Sequence, residues 1–344
     1  LWSVLCVYGI QYMHEQAEME DNNGPYNTWL VYIENGSDPL RLIGSLFSFS
    51  LVFRFKICYD RWWGGRHLWG DIMSTLLGLS IQINRSIADQ DIADRFNRYL
   101  VVFAYACKAL LKHQSFGHEK DEKTGDAHEL IQRGFLTLEE LEEIKANPCW
   151  EPHFCLDMMM EFVHEAFLTE GSFYLHKTKM HGGHYRSFDV AIKTLNTKIG
   201  DCISIQSADL PVAYDGIHLF AFFMYFTMAP IIWSSHMYWI AVPMTLMVGF
   251  IAISLITLGT LLCDPFGDDK VDIPVDKLCK TIEFQIRAME QRRKRGKMKE
   301  LVKMRRYASS DNVKIEESKS KSFDNTSAST STANTGAKKK KFRF

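Results

Sequence analysis

The chain has 344 residues, 47 % of them hydrophobic, with 40 basic and 41 acidic side chains and a formal net charge of −1. A chain this close to neutral is not built to bind nucleic acid, which takes a basic surface able to displace counterions from phosphates. Its 8 cysteines contain no CxxC pair, which excludes a disulfide framework and leaves free thiols.

Taken in order, residues 1–10 are an apolar run. It is too short to cross a bilayer, which takes about 20 residues. It also has neither the basic flank nor the small-residue cleavage site of a signal peptide. We read it as the back half of a truncated first transmembrane helix. Residues 11–40 are polar, with turn chemistry at Asn23-Gly24-Pro25 and Asn35-Gly36-Ser37, and are expected to form an extracytosolic loop. Residues 41–59 are expected to form a second, pore-lining membrane helix, apolar from Leu42 to Tyr59 except for Arg54 and Lys56. Over 60–214 charges return, and apolar residues recur at spacings of three and four, as in 71–83 and 95–111. Thr137 with Glu140 three positions later reads as a capping box. This region is expected to be an all-helical cytosolic bundle.

Two strong membrane signals follow, assigned to helices at 215–235 and 238–263 and joined at Ser234–Met237 as a hairpin. Trp233, Tyr238 and Trp239 sit at the joint, where interfacial aromatics belong. A tight hairpin returns the chain to the side it left. The Arg- and Lys-dense stretch 287–306 places that side in the cytosol by the positive-inside rule. Residues 264–310 then hold a cytosolic acidic cluster and a basic helix suited to anionic lipid, and 311–344 a disordered Ser/Thr/Lys-rich tail. The fold class expected is all-α: a polytopic membrane protein with four transmembrane helices and a helical cytosolic domain.

No catalytic constellation is visible, and no enzymatic activity is expected. His181-Gly182-Gly183-His184 has two candidate metal ligands, but no carboxylate or cysteine at standard spacing completes a set, and the glycines read as a loop. The informative segment is 42–70. Ser45, Phe49 and Phe53 recur every four residues and share one helix face, while Gly44, Ser48 and Ser50 keep the helix slim. Arg54 and Lys56 are costly in lipid and should face protein or water. Such a helix lines a pore or lies buried in a non-conducting bundle; periodicity alone leaves both open.

Tyr59-Asp60-Arg61-Trp62-Trp63, followed by Arg66 and Leu68-Trp69-Gly70, resembles the signature of the bestrophin family of anion channels. The likeness continues through HELIQRGFLTLEE at 128–140, Leu210-Pro211-Val212-Ala213-Tyr214 and Asp264-Pro265-Phe266-Gly267-Asp268-Asp269, in order, over roughly residues 40–285. It implies a homopentamer around one axial pore, in contact with membrane lipids and permeant small anions, chloride and also bicarbonate. It implies that Phe49 and Phe53, with Ser45 one turn earlier, form the neck, and that Leu210, before Pro211, forms a cytosolic aperture. It also implies calcium as a cofactor, held by Asp264, Asp268, Asp269 and Asp272. Against calcium, Asp272-Ile273-Pro274 suits a helix N-cap followed by a first-turn proline. Multi-pass insertion is expected in the plasma membrane, with an organellar membrane such as the thylakoid as the alternative. The competing functions are an organellar voltage-regulated anion channel without calcium dependence, and a non-conducting scaffold that regulates other channels.

Overall fold

The structure, a computed structural model, describes residues 1–19, 24–114, 116, 126–169, 181–208 and 212–299, with backbone alone at 181 and 212–215. Among the described residues it is helical and has no strand. The first unit, Leu1–Ile286, holds α1 (Trp2–Met19), α2 (Pro25–Asn35), α3 (Ser37–Ser86), α4 (Gln90–Leu111), α5 (Asp126–Gln132), α6 (Leu138–Ala146), α7 (Glu151–Leu168), α8 (His181–Ser207), α9 (Val212–Met237) and α10 (Ala241–Cys263). Residues 275–286 close it as α11. The second unit, Arg287–Phe344, is helical over 287–299 and pairs Lys294 with Glu290 one turn earlier. The expected tail at 311–344 lies outside the described residues.

The expected loop at 11–40 is instead largely helical. α1 runs on past residue 10 because Ser3, Cys6, Val7, Ile10 and Ala17 keep one buried stripe, with half-buried His14 on the same side, while Glu15 and Glu18 are exposed. α2 starts with Pro25 in its first turn after an extended Gly24. It ends where the Gly36 N–H donates to the carbonyls of Tyr32 and Ile33 at 3.1 Å each. The turn residues act as breakers here, but they separate helices rather than bound a loop.

α3 is a single helix of 50 residues, roughly 75 Å long at 1.5 Å per residue. It shows no break at the expected boundary near 60; what changes there is which side is apolar. Toward its N-terminus Leu42, Ile43, Leu46, Phe49, Val52 and Phe53 are all exposed, while farther along Trp69, Ile72, Leu76, Leu79 and Ile83 are all within 1 % of full burial. Apolar-out becoming apolar-in along one rod is what passage from lipid into a protein core produces.

Among the described residues two segments are long and apolar enough to cross a membrane, Pro25–Ser86 and Gly216–Cys263. Only 22 % and 17 % of their most apolar windows are buried, whereas a core helix of a soluble protein is mostly covered. Here α10 packs on α3 and α9, and α9 on α1. Their contact centres on Phe47, Leu51 and Ala252, with Phe222, Tyr225 and Phe226 against them. Glycine faces aromatic rings at two points: a Cβ on Gly44 would meet the Tyr225 ring at 2.8 Å, and one on Gly249 the Phe226 ring at 3.2 Å. α9 also continues through Ser234–Met237, where the sequence suggested the hairpin joint. The Ser234 and Ser235 hydroxyls donate back to the Ile231 and Ile232 carbonyls, 2.8 Å each, so two polar residues are satisfied inside the helix. The reversal falls at Tyr238, with φ 47°, and a 3₁₀ turn, Tyr238–Ile240.

The extramembrane bundle is built around α4, which is buried on every side from Tyr99 to Cys107 and packs against α7, α8 and α3. Truncating Phe96 or Phe103 there should cost about 3–5 kcal/mol. Buried polar groups find partners: Ser80 Oγ donates to Asn97 Oδ1 at 2.8 Å, and Asn97 Nδ2 to Asn84 Oδ1 at 3.0 Å. The capping box forms as expected, with the Thr137 hydroxyl 3.1 Å from the Glu140 N–H and the Glu140 carboxylate 2.8 Å from the Thr137 N–H.

Candidate functional site

The outward face of α3 carries Ser45, Phe49 and Phe53 together. The Phe49 and Phe53 rings stack with centroids 6.3 Å apart and planes 14° from parallel. They are 73 % and 51 % exposed, so the described residues leave most of Phe49 and about half of Phe53 uncovered. Ser45 turns its hydroxyl back to the Leu42 carbonyl at 2.8 Å, which leaves a small, internally satisfied residue one turn before the rings.

The two cations of this segment take opposite courses. Arg54 is buried and turns toward α10, with Nη1 3.3 Å from the Ile256 carbonyl and Nη2 3.4 Å from Thr260 Oγ1. Gly259 makes room for it, since a Cβ there would come within 2.9 Å of Nη1. Lys56 stays exposed and pairs with Asp60 at 2.9 Å, one turn along. A neighbouring buried contact joins α3 to α9, with Ser50 Oγ 2.7 Å from His218 Nε2.

At the base of the apolar segment the Arg-Trp-Trp motif ties helix ends together. Arg61 Nε donates to the Cys263 carbonyl at 3.2 Å and Nη2 to the Ile205 carbonyl at 2.8 Å, and Nη1 donates to the Ala208 carbonyl. One guanidinium thus satisfies the carbonyl ends of both α8 and α10, where orphan acceptors and helix dipoles favour a cation. Trp62 Nε1 donates to the Val271 carbonyl at 3.0 Å, and the Arg66 guanidinium lies 5.9 Å from the Trp62 ring centre. Trp63 stacks on Tyr59 and meets His67 edge-on. Gly65 lies under the loop after α10: a Cβ there would touch Phe266 at 3.1 Å, Ile273 at 3.3 Å and Pro265 at 3.4 Å.

The acidic loop that this clasp holds is tied by its own backbone N–H groups. Asp264 Oδ1 accepts the Phe266 N–H at 3.3 Å, and Asp272 Oδ2 accepts the Asp269 N–H at 2.6 Å. Asp264 and Asp272 approach across Gly267, and Asp272 Oδ1 is buried without a partner. Asp268, however, is turned to Lys112, 2.7 Å away. Among the described residues no group of three or more His, Cys, Asp or Glu side chains is placed to hold a metal. Nor does Asp272 cap the following helix: it closes the loop at Asp269, and α11 starts three residues later, after Pro274. Burial, together with the nearby Asp269, Asp264 and Asp268 carboxylates, pushes the Asp272 carboxyl above its ordinary range despite its hydrogen bond.

The cations of the loop are lysines. Lys112 also reaches Asp276 at 3.1 Å, and Lys108, almost fully buried, contacts Asp276 at 2.5 Å and Asp126 at 2.8 Å. Burial alone would lower both lysine pKa values; the hydrogen bonds they donate to these carboxylates raise them instead. Asp276 mirrors this: burial pushes its carboxyl up, and Lys108 and Lys112 reverse that to a net lowering. Lys108, Lys112 and Asp276 escaped the sequence reading, whereas Arg54, expected to face protein or water, faces protein. For the lysines the one available signal was their spacing, i and i+4 at the end of an apolar helix, where solvated lysines are commonplace.

Two expected site residues, Leu210 and Pro211, lie outside the described residues. His181 and His184 stand in the first turn of α8 rather than in a loop, Gly182 and Gly183 included. All 8 cysteines are free, and most are buried, as expected of reduced thiols.

An all-helical membrane protein, with an outward aromatic face on one long helix and an ionic clasp at its base, is the class these features define. Residues 10–288 match the profile of the Bacterial/Fungal Bestrophin protein family, and the chain belongs to that family. It is 26 % identical over 242 residues to a voltage-dependent anion channel-forming protein of Synechocystis sp., covering 69 % of this chain and 72 % of that one. It is 21 % identical to the voltage-dependent anion channel-forming protein YneE of Salmonella typhimurium, over 74 % of this chain and 77 % of that one. Its fold matches a bacterial bestrophin homolog from Klebsiella pneumoniae, with TM-score 0.64, 20 % identity, and coverage of 84 % of this chain and 96 % of the other.

Proposed function

We propose that the chain is one subunit of an anion channel in which Phe49 and Phe53 form a hydrophobic neck. The observation that carries this is the pair of stacked, exposed rings on a helix whose cation at 54 is turned inward. In a membrane such a face is covered by lipid, by a neighbour or by a pore, and the relatives named as anion channel-forming proteins favour the pore. One helix per subunit cannot enclose a channel, so the working unit is a closed ring of identical subunits, five-fold in this reading. Two stacked apolar rings hold back ions by excluding water, and small rearrangements wet or dry them. Inward-turned aromatic edges, which carry partial positive charge, favour chloride and other weakly hydrated anions. Leu210 supplies a second constriction on the cytosolic side. Anion flux into liposomes containing only this protein tests the proposal: flux that follows the protein supports it, and none from folded, assembled protein overturns it.

Within this reading the arrangement of the acidic loop favours a channel that needs no calcium. Lys112 neutralises Asp268, one of the four carboxylates that a metal would otherwise have to collect. Flux in chelator equal to flux in calcium is the expected result.

A further inference from the structure

Beside the neck face lies a cavity of about 380 Å³, between the first turns of α3 and the last turns of α9. It is away from the Arg61 clasp and the acidic loop, and only Ser45 belongs to both it and the neck. α3 contributes Arg41 and Ser48 to its lining, and α9 contributes His236, Tyr225 and Trp233. Among the described residues no carboxylate pairs with Arg41, so its five N–H donors are available to a ligand. The two aromatic rings are fixed in place. Tyr225 stacks on Phe47 with centroids 5.6 Å apart and meets Trp233 edge-on at 6.4 Å. Gly44 is the small residue that lets the Tyr225 ring sit there.

A bare halide would leave most of this volume empty, whereas cavities of roughly 300–1,000 Å³ are the size that holds small organic ligands. A planar guanidinium and aromatic rings lining one cavity suit an oxyanion carried on an apolar body. The guanidinium pairs with a carboxylate or phosphate through two parallel hydrogen bonds, and the rings take up the rest. We propose that this cavity binds an organic oxyanion, with Arg41 holding the charged end and Tyr225 and Trp233 the apolar part. Its position one turn before Ser45 places the ligand at the entrance to the proposed neck, on the side opposite the Arg61 clasp. Two sources supply this chemistry: a soluble carboxylate and an anionic lipid headgroup.

The assay measures binding and needs no conduction, so its failure leaves the channel proposal standing, and absent flux leaves the binding site standing. Purified protein in neutral detergent is titrated with benzoate. The same protein in nanodiscs of mixed phosphatidylcholine and phosphatidylglycerol is analysed for co-purifying lipid. Arg41→Gln and Arg41→Lys are run beside the parent, since Arg41 is exposed and neither change removes a packed group. Saturable benzoate binding that Arg41→Gln weakens about tenfold to a hundredfold, with Arg41→Lys between, supports the site with a soluble ligand. Phosphatidylglycerol enrichment lost in Arg41→Gln, without benzoate binding, supports it with a lipid ligand. Benzoate binding and lipid enrichment that are absent from the parent, or identical in all three proteins, overturn it.

Discussion

The Lys112 ammonium sits 2.7 Å from a carboxylate oxygen of Asp268, joining the end of α4 to a loop 156 positions later in the chain. Lys112 is nearly buried, and Asp268 is 76 % exposed, so the lysine is the partner with more to lose when the pair breaks. Lys112→Ala should therefore destabilise the protein by about 1–2 kcal/mol, below the cost of breaking a fully buried pair because water reaches Asp268. It should also leave Asp268 and Asp276 unneutralised, so that millimolar calcium raises the melting temperature of the variant but not of the parent. A parent stabilised by calcium as strongly as the variant would show that the metal, and not Lys112, is the loop's cation.

The same network sets a pH response through Asp276. Its carboxyl lies below the ordinary value in the folded protein, so its contribution is present above the unfolded pKa of about 3.9 and is lost as pH falls through the folded value. Asp272 has the opposite sign. Its folded pKa is raised, so its contribution is full below the unfolded value and is lost as pH rises through the folded one. Asp272→Asn keeps an oxygen for the Asp269 N–H and removes the repulsion. Its melting temperature should exceed that of the parent at pH 7, with the difference vanishing near pH 3. Asp276→Asn should fall below the parent at pH 7 and converge with it in acid. Melting curves that shift in parallel at all pH values would remove both assignments.

Arg61 spans three carbonyls on two helix ends, and a lysine cannot copy that fork. Arg61→Gln should cost about 2–4 kcal/mol, and Arg61→Lys should recover only a minor part of it. Hydrogen exchange would place the loss at the ends of α8 and α10. Full recovery by lysine would mean that the charge matters and the geometry does not.

What could be read in advance was local. The capping box needs only Thr137 and Glu140, three residues apart, and the shared helix face of Ser45, Phe49 and Phe53 needs only their four-residue recurrence. Breakers misled where their context was tertiary: Pro25 and Gly36 start and stop helices, and Ser234 and Ser235 stay inside one by hydrogen-bonding back to their own turn. The clasp was invisible for a different reason. Arg61 and Lys112 act on partners 144 to 202 positions away, which no periodicity or spacing rule relates. The motif residues could be recognised from their order, but their work as a joint could not.

The neck makes the most demanding prediction. Phe49 and Phe53 are one turn apart, about 6 Å along the helix axis, and their rings already stack within one subunit. In a symmetric ring they would form two stacked apolar tiers, a sleeve that stays dry when narrow. A dry sleeve blocks ions because stripping their water is expensive. Phe49→Ala with Phe53→Ala removes most of that bulk. Both side chains are exposed in the subunit, so the change leaves its core intact and folding should be preserved. The double variant should conduct without whatever stimulus opens the parent, and its leak should persist across voltage and calcium. Single variants should be intermediate, since one tier still narrows the path. Single-channel recording in planar bilayers decides the matter. A double variant that assembles and still opens and closes like the parent would move the gate to Leu210 and leave the two rings as packing against a neighbouring subunit.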